Sequence, residues 1–177
     1  PRPSAITALM ASPFEAKEEK IIEGLQAVKL EGRFQPLTRP NSPAVYLDVT
    51  HNAQGASVMK ELLANRRPDQ RVIAVLGMLA DKDAPALVKH LTEDIDQWIT
   101  TTLVDARGQS GKALKAQIKN EISTPIIATE TIPDACKKAL VLADIYDIIL
   151  GFGSFHIMSE SLIWVKENRY SVEISAQ

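Results

Sequence analysis

The chain has 177 residues, 45% of them hydrophobic and 24% charged, and a formal net charge of -2. This length can bury a hydrophobic core, and the composition is typical of a globular domain. The small charge and the absence of a basic stripe predict no nucleic-acid partner. No apolar run approaches the roughly 18 residues that a membrane span needs, so no membrane partner is predicted either.

The cysteine and histidine content argues against a disulfide or a zinc site. The single cysteine, Cys136, cannot form an internal disulfide, and its apolar neighbours predict a buried thiol on a helix. The three histidines are too widely separated in the sequence for zinc spacing. Because the chain begins with no signal-peptide pattern, we expect a cytoplasmic protein.

The first 31 residues are predicted to be helical. Apolar residues in the second half of this segment recur at helical spacing: Ile21, Ile22, Leu25 and Val28. A break at 32–36 and a turn-rich link at 40–43 follow, because both are rich in Gly, Pro, Asn or Ser. We therefore expect a helical appendage that is too short to form its own core, followed by one domain.

From residue 44 onward, apolar or β-branched runs alternate with helical patterns. The runs predict strands at 44–49, 71–76, 97–104, 126–128 and 145–150. The helical patterns predict helices at 53–65, 84–93, 111–122, 132–143 and 154–167. Strands that alternate with helices form βαβ units with right-handed crossovers. We predict an α/β fold with a doubly wound, mostly parallel sheet of five or six strands and helices on both faces.

The segment Asp48-Val-Thr-His51-Asn52 combines a carboxylate, an imidazole and an amide where a predicted strand gives way to a helix. Ligands bind at the carboxyl ends of strands in open α/β sheets, and a helix start offers unpaired N–H groups to an anion. Asp48 and Asn52 are also common helix-capping types, so a structural role stays open.

Two further loops that follow predicted strands carry basic side chains. Gly77-Met-Leu-Ala-Asp81-Lys82-Asp83 holds a lysine between two aspartates, which suits a carboxylate or phosphate ligand. The alternative is a solvated loop in which Asp83 caps the next helix, and the local sequence favours this alternative. Arg107 follows the next strand and is a candidate carboxylate clamp, although most loop arginines are simply solvated.

The last predicted strand leads into Gly151-Phe-Gly153-Ser154-Phe-His156. The glycines let the backbone approach a ligand while Ser154 and His156 supply hydrogen bonds, but a tight turn capped by Ser154 is equally supported. The segment is neither a dinucleotide fingerprint nor a nucleophile elbow. Gly108-Gln-Ser-Gly111-Lys112-Ala113 is not a phosphate loop, because its glycines are too close together and Ala113 replaces the magnesium-binding Ser or Thr.

Four spaced motifs together resemble a known family. They are Gly32-Arg33-Phe34-Gln35, Leu47-Asp48-Val-Thr-His51-Asn52, the Asp-Lys-Asp loop at 77–83 and the Gly-Phe-Gly-Ser-Phe-His loop at 151–156. In this order they resemble the folylpolyglutamate synthases of the Mur ligase superfamily, especially the bacterial bifunctional enzymes that are also dihydrofolate synthases. The resemblance covers residues 14–166. Thr50 stands where the family usually has Ala, and Ala53 where it often has Pro.

The resemblance implies a division of the chain and a reaction. Residues 32–177 would form a Rossmann-like carboxyl-terminal ligase domain, and residues 1–31 would end a preceding ATPase domain and its linker. That ATPase domain carries the phosphate loop, the magnesium ligands and a carbamylated lysine in such enzymes, which explains the missing Walker sequence. ATP would phosphorylate a carboxylate of dihydropteroate or of a folate, and L-glutamate would then displace the phosphate to form an amide.

The resemblance also implies roles for individual residues. Nucleotide binding is implied for Arg33, Asp48, His51 and Asn52. Glutamate binding is implied for Asp81, Lys82, Asp83, Arg107, Ser154 and His156. No catalytic residue and no metal ligand is implied within this chain.

Partners follow from the same resemblance. We expect the ligands ATP, L-glutamate and either dihydropteroate or folates. The amino-terminal ATPase domain would be a further partner and would hold Mg²⁺. The full-length enzyme would be a monomer, and this chain alone would be inactive. One alternative is a Mur-type peptidoglycan amino-acid ligase, and another is a non-catalytic α/β ligand-binding module. The loops at 77–83 and 151–156 favour the folate enzyme over the peptidoglycan ligase. No role is predicted for residues 169–177.

Overall fold

A computed structural model describes residues 7, 11–13, 17–27 and 34–172. The chain divides into two compact units, Pro1–Glu31 and Gly32–Gln177. In the first unit, helix α1 spans Glu18–Ala27, within the segment where a helix is predicted. Val28, from the predicted apolar stripe, and Arg33 lie outside the described residues. Within the described ranges, no helix has both the length and the apolar character that crossing a bilayer requires.

The second unit is an α/β domain built on one sheet. Its strands are β1 Gln35–Thr38, β2 Ala44–Leu47, β3 Val72–Leu76, β4 Gln97–Thr101, β5 Ile126–Thr129, β6 Ile148–Phe152 and β7 Ser171–Val172. Its helices are α2 Ala53–Leu63, α3 Ala84–Val88, α4 Gly111–Ile118, α5 Ile132–Leu142 and α6 Phe155–Glu167.

The sheet has the strand order β5-β4-β3-β6-β2-β1-β7. Neighbours from β5 to β2 pair in parallel, whereas β1 pairs antiparallel with both β2 and β7. The predicted α/β class with a mostly parallel sheet is confirmed. The described sheet has seven strands rather than five or six, because the two short antiparallel strands extend one edge.

Side chains along the central strand β3 alternate between two hydrophobic layers. Val72, Ala74 and Leu76 face a layer formed with α2, α3 and α4. Ile73 and Val75 face a layer formed with α5 and α6. All five positions are at most 1% exposed, as expected for a parallel strand covered by helices on both faces. The predicted burial of Cys136 is confirmed, and burial raises the pKa of its thiol to about 11.

Strand β1 lies in a segment where the sequence predicts a break. Pro36 cannot donate a backbone hydrogen bond, which usually argues against a strand. Here Pro36 lies opposite Tyr46 of β2, while β7 pairs only with Leu37 and Thr38. The missing donor is therefore tolerated, because the described sheet has no second neighbour beside Pro36.

Several predicted elements also end or begin elsewhere. The strand predicted at 97–104 ends at Thr101, and the helix predicted at 111–122 ends at Ile118. The helix predicted at 84–93 ends at Val88, and the next backbone bonds span three residues, such as that from His90 N–H to the oxygen of Leu87 (3.3 Å). The strand predicted at 145–150 begins at Ile148, after an exposed Tyr146 and a buried Asp147. The chain therefore tightens into turns after α3, and the apolar run alone does not mark where β6 begins.

Candidate functional site

The predicted polar loops meet at one edge of the sheet. Because β4, β3, β6 and β2 are parallel neighbours in that order, their carboxyl ends lie side by side. The segments 102–110, 77–83, 153–156 and 48–52 follow these ends, and we call this edge the carboxyl rim. It carries every predicted site residue that the structure describes: Asp48, His51, Asn52, Asp81, Lys82, Asp83, Arg107, Ser154 and His156. The remaining predicted residue, Arg33, lies outside the described residues.

Asp48 anchors the rim at the end of β2. Its side chain is only 6% exposed. Oδ2 accepts a hydrogen bond from the backbone N–H of Phe34 (2.7 Å), and Oδ1 accepts one from that of Thr50 (2.6 Å). Its own N–H donates to the oxygen of Gly151 on β6 (2.9 Å). Asp48 thus fixes the entry to β1 and the loop that carries His51.

His51 and Asn52 differ in the hydrogen bonds that their side chains make. The Nδ1 of His51 lies 3.0 Å from the oxygen of Val49, and because a carbonyl can only accept, Nδ1 carries the proton. Its Nε2 makes no hydrogen bond to a described residue. Asn52 caps α2, since its Oδ1 accepts from the N–H of Gly55 (2.9 Å). The capping role that the sequence left open therefore applies to Asn52.

The loop after β3 is shaped by its two aspartates. Asp83 caps α3 by accepting from the N–H of Ala86 (3.0 Å), as the structural alternative predicted. The Nζ of Lys82 lies 3.1 Å from Oδ2 of Asp81, with 34% of the lysine side chain exposed. The hydrogen bond from Lys82 lowers the pKa of Asp81, and the charge of Arg107 adds a smaller effect of the same sign.

The loop after β4 is fastened to the loop after β3. The N–H of Ala80 donates to the oxygen of Arg107 (2.9 Å), and Nε2 of Gln109 donates to the oxygen of Met78 (3.2 Å). The side chain of Arg107 is exposed and hydrogen-bonds to no described residue. These contacts place the backbone of Arg107 beside Ala80, the residue before Asp81, and the charge of Arg107 contributes to lowering the Asp81 pKa.

The loop after β6 brings a glycine, a helix cap and an imidazole to the middle of the rim. Gly153 has a φ of 114°, and a Cβ there would lie 2.5 Å from the oxygen of Gly77, so only glycine fits. Ser154 is buried and caps α6 by accepting from the N–H of Ile157 (3.2 Å). His156 is 41% exposed, and its Nε2 lies 3.4 Å from Oδ2 of Asp105.

Asp105 is the rim residue that the sequence analysis missed. It lies in the loop after β4, whereas His156 lies at the start of α6, and no local pattern indicates that these segments meet. The strand order β4-β3-β6 places the two loops at the same edge, on either side of the loop after β3. An acidic residue two positions before Arg107 was the available signal, and it gains meaning only when that order is known.

The segment that superficially resembles a phosphate loop has ordinary surface contacts. Ser110 caps α4 through the N–H of Ala113 (3.1 Å), and Lys112 pairs with Glu130 (3.1 Å). Its rejection as a phosphate loop thus agrees with contacts that need no ligand. Among the residues that the structure describes, no three His, Cys, Asp or Glu side chains are grouped to hold a metal ion.

Comparisons with known proteins agree with this geometry. The family model for the Mur ligase, glutamate ligase domain, matches residues 32–155. The dihydrofolate synthase/folylpolyglutamate synthase of Haemophilus influenzae is 34% identical over an alignment 174 residues long, and the match covers 89% of this chain and 40% of that protein. The structure of Escherichia coli FolC in complex with ADP matches with a TM-score of 0.78 and 30% identity, covering 96% of this chain and 40% of FolC.

Another matching structure is a bifunctional folylpolyglutamate synthase/dihydrofolate synthase with Mn, AMPPNP and L-glutamate bound. It has a TM-score of 0.76 and 31% identity, and the match covers 92% of this chain and 38% of that one. The chain thus spans about 40% of the length of the relatives it matches. The family match extends over most of the α/β domain and includes all four rim loops up to residue 155. The chain therefore belongs to the Mur ligase family, and its α/β domain is that family's glutamate ligase domain.

Proposed function

We propose that this chain is the carboxyl-terminal part of an ATP-dependent ligase that joins L-glutamate to dihydropteroate, to folates, or to both. The observation that carries the proposal is the row of four polar loops along the carboxyl rim, on parallel strands that lie side by side. The similar proteins are named for these activities. One of their structures holds ADP, and another holds AMPPNP together with L-glutamate. Residues 1–31 would then end a preceding ATPase domain.

The proposed reaction explains why a binding surface is needed. A carboxylate resists attack by an amine until it carries a leaving group. ATP would transfer a phosphoryl group to the folate carboxylate, the glutamate nitrogen would attack the acyl carbon, and inorganic phosphate would leave as the amide forms. The enzyme has to hold the reactants together and exclude water meanwhile. We assign binding and orientation to this domain, and no proton transfer.

The end of the rim at β2 is suited to the nucleotide. His51 would contact ATP through Nε2, the ring nitrogen that makes no hydrogen bond to a described residue. Asp48 would hold the His51 loop in place, and each of its oxygens keeps a second lone pair that can accept from the ligand. Asn52 caps the helix that starts here, and Arg33 is proposed to reach the phosphates.

The end of the rim at β4 is suited to glutamate. Lys82 and Arg107 bring two positive charges to neighbouring loops, which matches a substrate with two carboxylates. Asp81 and Asp83 would keep Lys82 and its loop in position. Ser154 and His156 would line the same side from the start of α6.

The metal ion belongs outside the described part of this chain in our proposal. Mn accompanies AMPPNP in one similar structure. The described residues offer no group of three His, Cys, Asp or Glu side chains that could hold such an ion. As the family resemblance implies, we assign Mg²⁺ ligation to the preceding domain.

The test is an assay of the full-length protein with ATP, Mg²⁺, L-glutamate and either dihydropteroate or tetrahydrofolate. We expect ADP release that requires both glutamate and the acceptor, and a product heavier by one glutamyl residue. The variant His51→Ala should lower the rate by about 100-fold, the scale of losing one well-placed polar contact, with an unchanged melting temperature. His90→Ala is the matched control, because His90 is exposed and its imidazole lies 3.4 Å from the hydroxyl of Ser57, away from the rim.

The same assay separates the alternatives. Turnover with a UDP-linked muramoyl peptide and none with either pteridine acceptor would identify a Mur-type peptidoglycan ligase. ATP binding without product from any acceptor would favour a non-catalytic binding module. Full activity of His51→Ala with folate would leave the enzyme class standing but remove His51 from the nucleotide site.

A further inference from the structure

Asp105 contacts two groups of the proposed glutamate site at once. Its Oδ1 accepts a hydrogen bond from the backbone N–H of Arg107 (2.8 Å). Its Oδ2 lies 3.4 Å from Nε2 of His156, which belongs to a different loop of the rim. The Asp105 side chain is 30% exposed and that of His156 is 41% exposed, so the contact is partly shielded from water. A single carboxylate thus connects the loop after β4 with the start of α6.

The loop that carries Asp105 is held by its own backbone. The N–H of Leu103 donates to the oxygen of Gln109 (3.1 Å), and the N–H of Gly108 donates to the oxygen of Asp105 (2.9 Å). A Cβ at Gly108 would collide with the oxygen of Leu103, so the tight turn needs glycine. Because the backbone is fixed in this way, Asp105 can hold His156 in place without moving towards it.

The far side of the contact is fixed as well. Ser154 caps α6, and its neighbour Gly153 packs against Gly77 with no room for a side chain. The position of the His156 backbone is therefore set, and the remaining freedom is the rotation of its imidazole. An acidic group 3.4 Å from Nε2 favours one orientation of that ring and leaves Nδ1 directed away from Asp105.

We propose that Asp105 is a positioning residue for glutamate binding, which orients the imidazole of His156 and fixes the loop of Arg107. This inference rests on the proposed function. Asp105 touches no substrate in this role and acts through the two residues that do. Its loss should therefore weaken glutamate binding selectively, while ATP binding at the β2 end of the rim stays intact.

The experiment uses the full-length enzyme and two variants. Asp105→Asn keeps an oxygen for the N–H of Arg107 but loses the carboxylate charge that faces His156, and it should raise the glutamate KM about threefold, the scale of weakening one partly exposed hydrogen bond. Asp105→Ala loses both contacts and should raise it about tenfold. The ATP KM should change less than about twofold, within the effect of a surface substitution. Asp69→Asn is the control, since Asp69 lies before β3 at the opposite end of the sheet, with 79% of its side chain exposed.

A double-mutant cycle with His156→Gln distinguishes positioning from a general structural role. If Asp105 acts through His156, adding Asp105→Asn to His156→Gln should leave the glutamate KM unchanged. Multiplicative effects, an equal change in the ATP KM, or a normal glutamate KM in Asp105→Asn would overturn the proposal. A wild-type enzyme without glutamate-dependent ADP release would instead refute the proposed function itself. Melting temperatures show whether Asp105→Ala folds. If it does not fold, the glutamate KM of Asp105→Asn alone tests the proposal.

Discussion

The two ends of the parallel sheet use their charged residues differently. At the amino end, the buried carboxylate of Asp147 binds the guanidinium of Arg71 (2.6 Å) and the backbone N–H groups of Arg71 and Asp144. This hydrogen bond raises the pKa of Arg71. Nearby, the carboxylate of Asp96 accepts from the N–H of Val72 (2.8 Å). The charged groups at this end thus satisfy one another and the backbone, and they tie neighbouring strands together.

At the carboxyl rim, the acidic and hydroxyl side chains bind the backbone, but the basic groups keep unused donors or acceptors. Within the described part of the chain, neither Nε2 of His51 nor the guanidinium of Arg107 makes a hydrogen bond. Lys82 contacts Asp81 and is one-third exposed. Basic groups that add little internal bonding, at the edge where α/β sheets bind ligands, are typical of a binding surface. We propose from this comparison that one end of the sheet is organised for stability and the other for binding.

The largest expected effect comes from a matched pair of buried aspartates. Asp48→Asn should cost about 2 kcal/mol of unfolding free energy, because an amide NH₂ would face a backbone N–H that now donates to a charge. Asp147→Asn should also cost about 2 kcal/mol, less than a fully buried pair would, because the Arg71 side chain is 50% exposed. Urea unfolding of the chain measures both values.

Activity of the full-length enzyme should separate the two aspartates. Asp48→Asn should lower the ligase rate at least about tenfold below the temperature of unfolding, because it disturbs the loop of His51. Asp147→Asn should leave the rate of the folded enzyme within about twofold of wild type, since Asp147 is buried at the end of the sheet opposite the rim. Equal losses of activity in both variants would break the proposed difference between the two ends.

A smaller effect is expected at the β4 end of the rim. Lys82→Ala should raise the glutamate KM about tenfold, the scale of one charge-assisted hydrogen bond, with little change in the ATP KM. Lys89→Ala is the control, because Lys89 is exposed in the turn that ends α3. Initial-rate kinetics of the full-length enzyme give both constants. If Lys82→Ala changed the melting temperature but neither KM, the loop would have a structural role and would not bind glutamate.

Local signals in the sequence were enough to predict most of the domain. The parallel strands are short β-branched runs such as Val72–Leu76, and helices begin at typical capping residues such as Ser110 and Thr131. Strands β1 and β7 were missed because their pairing joins Leu37 to Val172, near opposite ends of the domain. No short window of sequence contains that information.

The positions of the site residues on the rim were predictable from the sequence, but their individual contacts were not. Placing His51, Lys82 and His156 on one rim needed only the rule that loops after parallel strands share an edge, and the strand order agrees. The contact of His156 with Asp105 needed the order itself, because it depends on β3 and β6 being neighbours. The hydrogen bonds of Asp48 to Phe34 and Thr50 were equally out of reach, since backbone donors have no sequence signature.

The smallest expected effect concerns the pH response of the rim. The hydrogen bond from Lys82 lowers the pKa of Asp81 from its ordinary value of 3.8. A lowered folded-state pKa contributes stability that is present above pH 3.8 and is lost as the pH falls through the folded value. Because the pair is solvent-exposed, salt should weaken the shift. Carboxyl ¹³C NMR titration of the chain should show a depressed Asp81 pKa that returns towards 3.8 in Lys82→Met, where only the backbone hydrogen bond of Asp81 and the charge of Arg107 still lower it. A pKa at or above the ordinary value in the wild-type chain would mean that the Lys82–Asp81 contact does not form in solution.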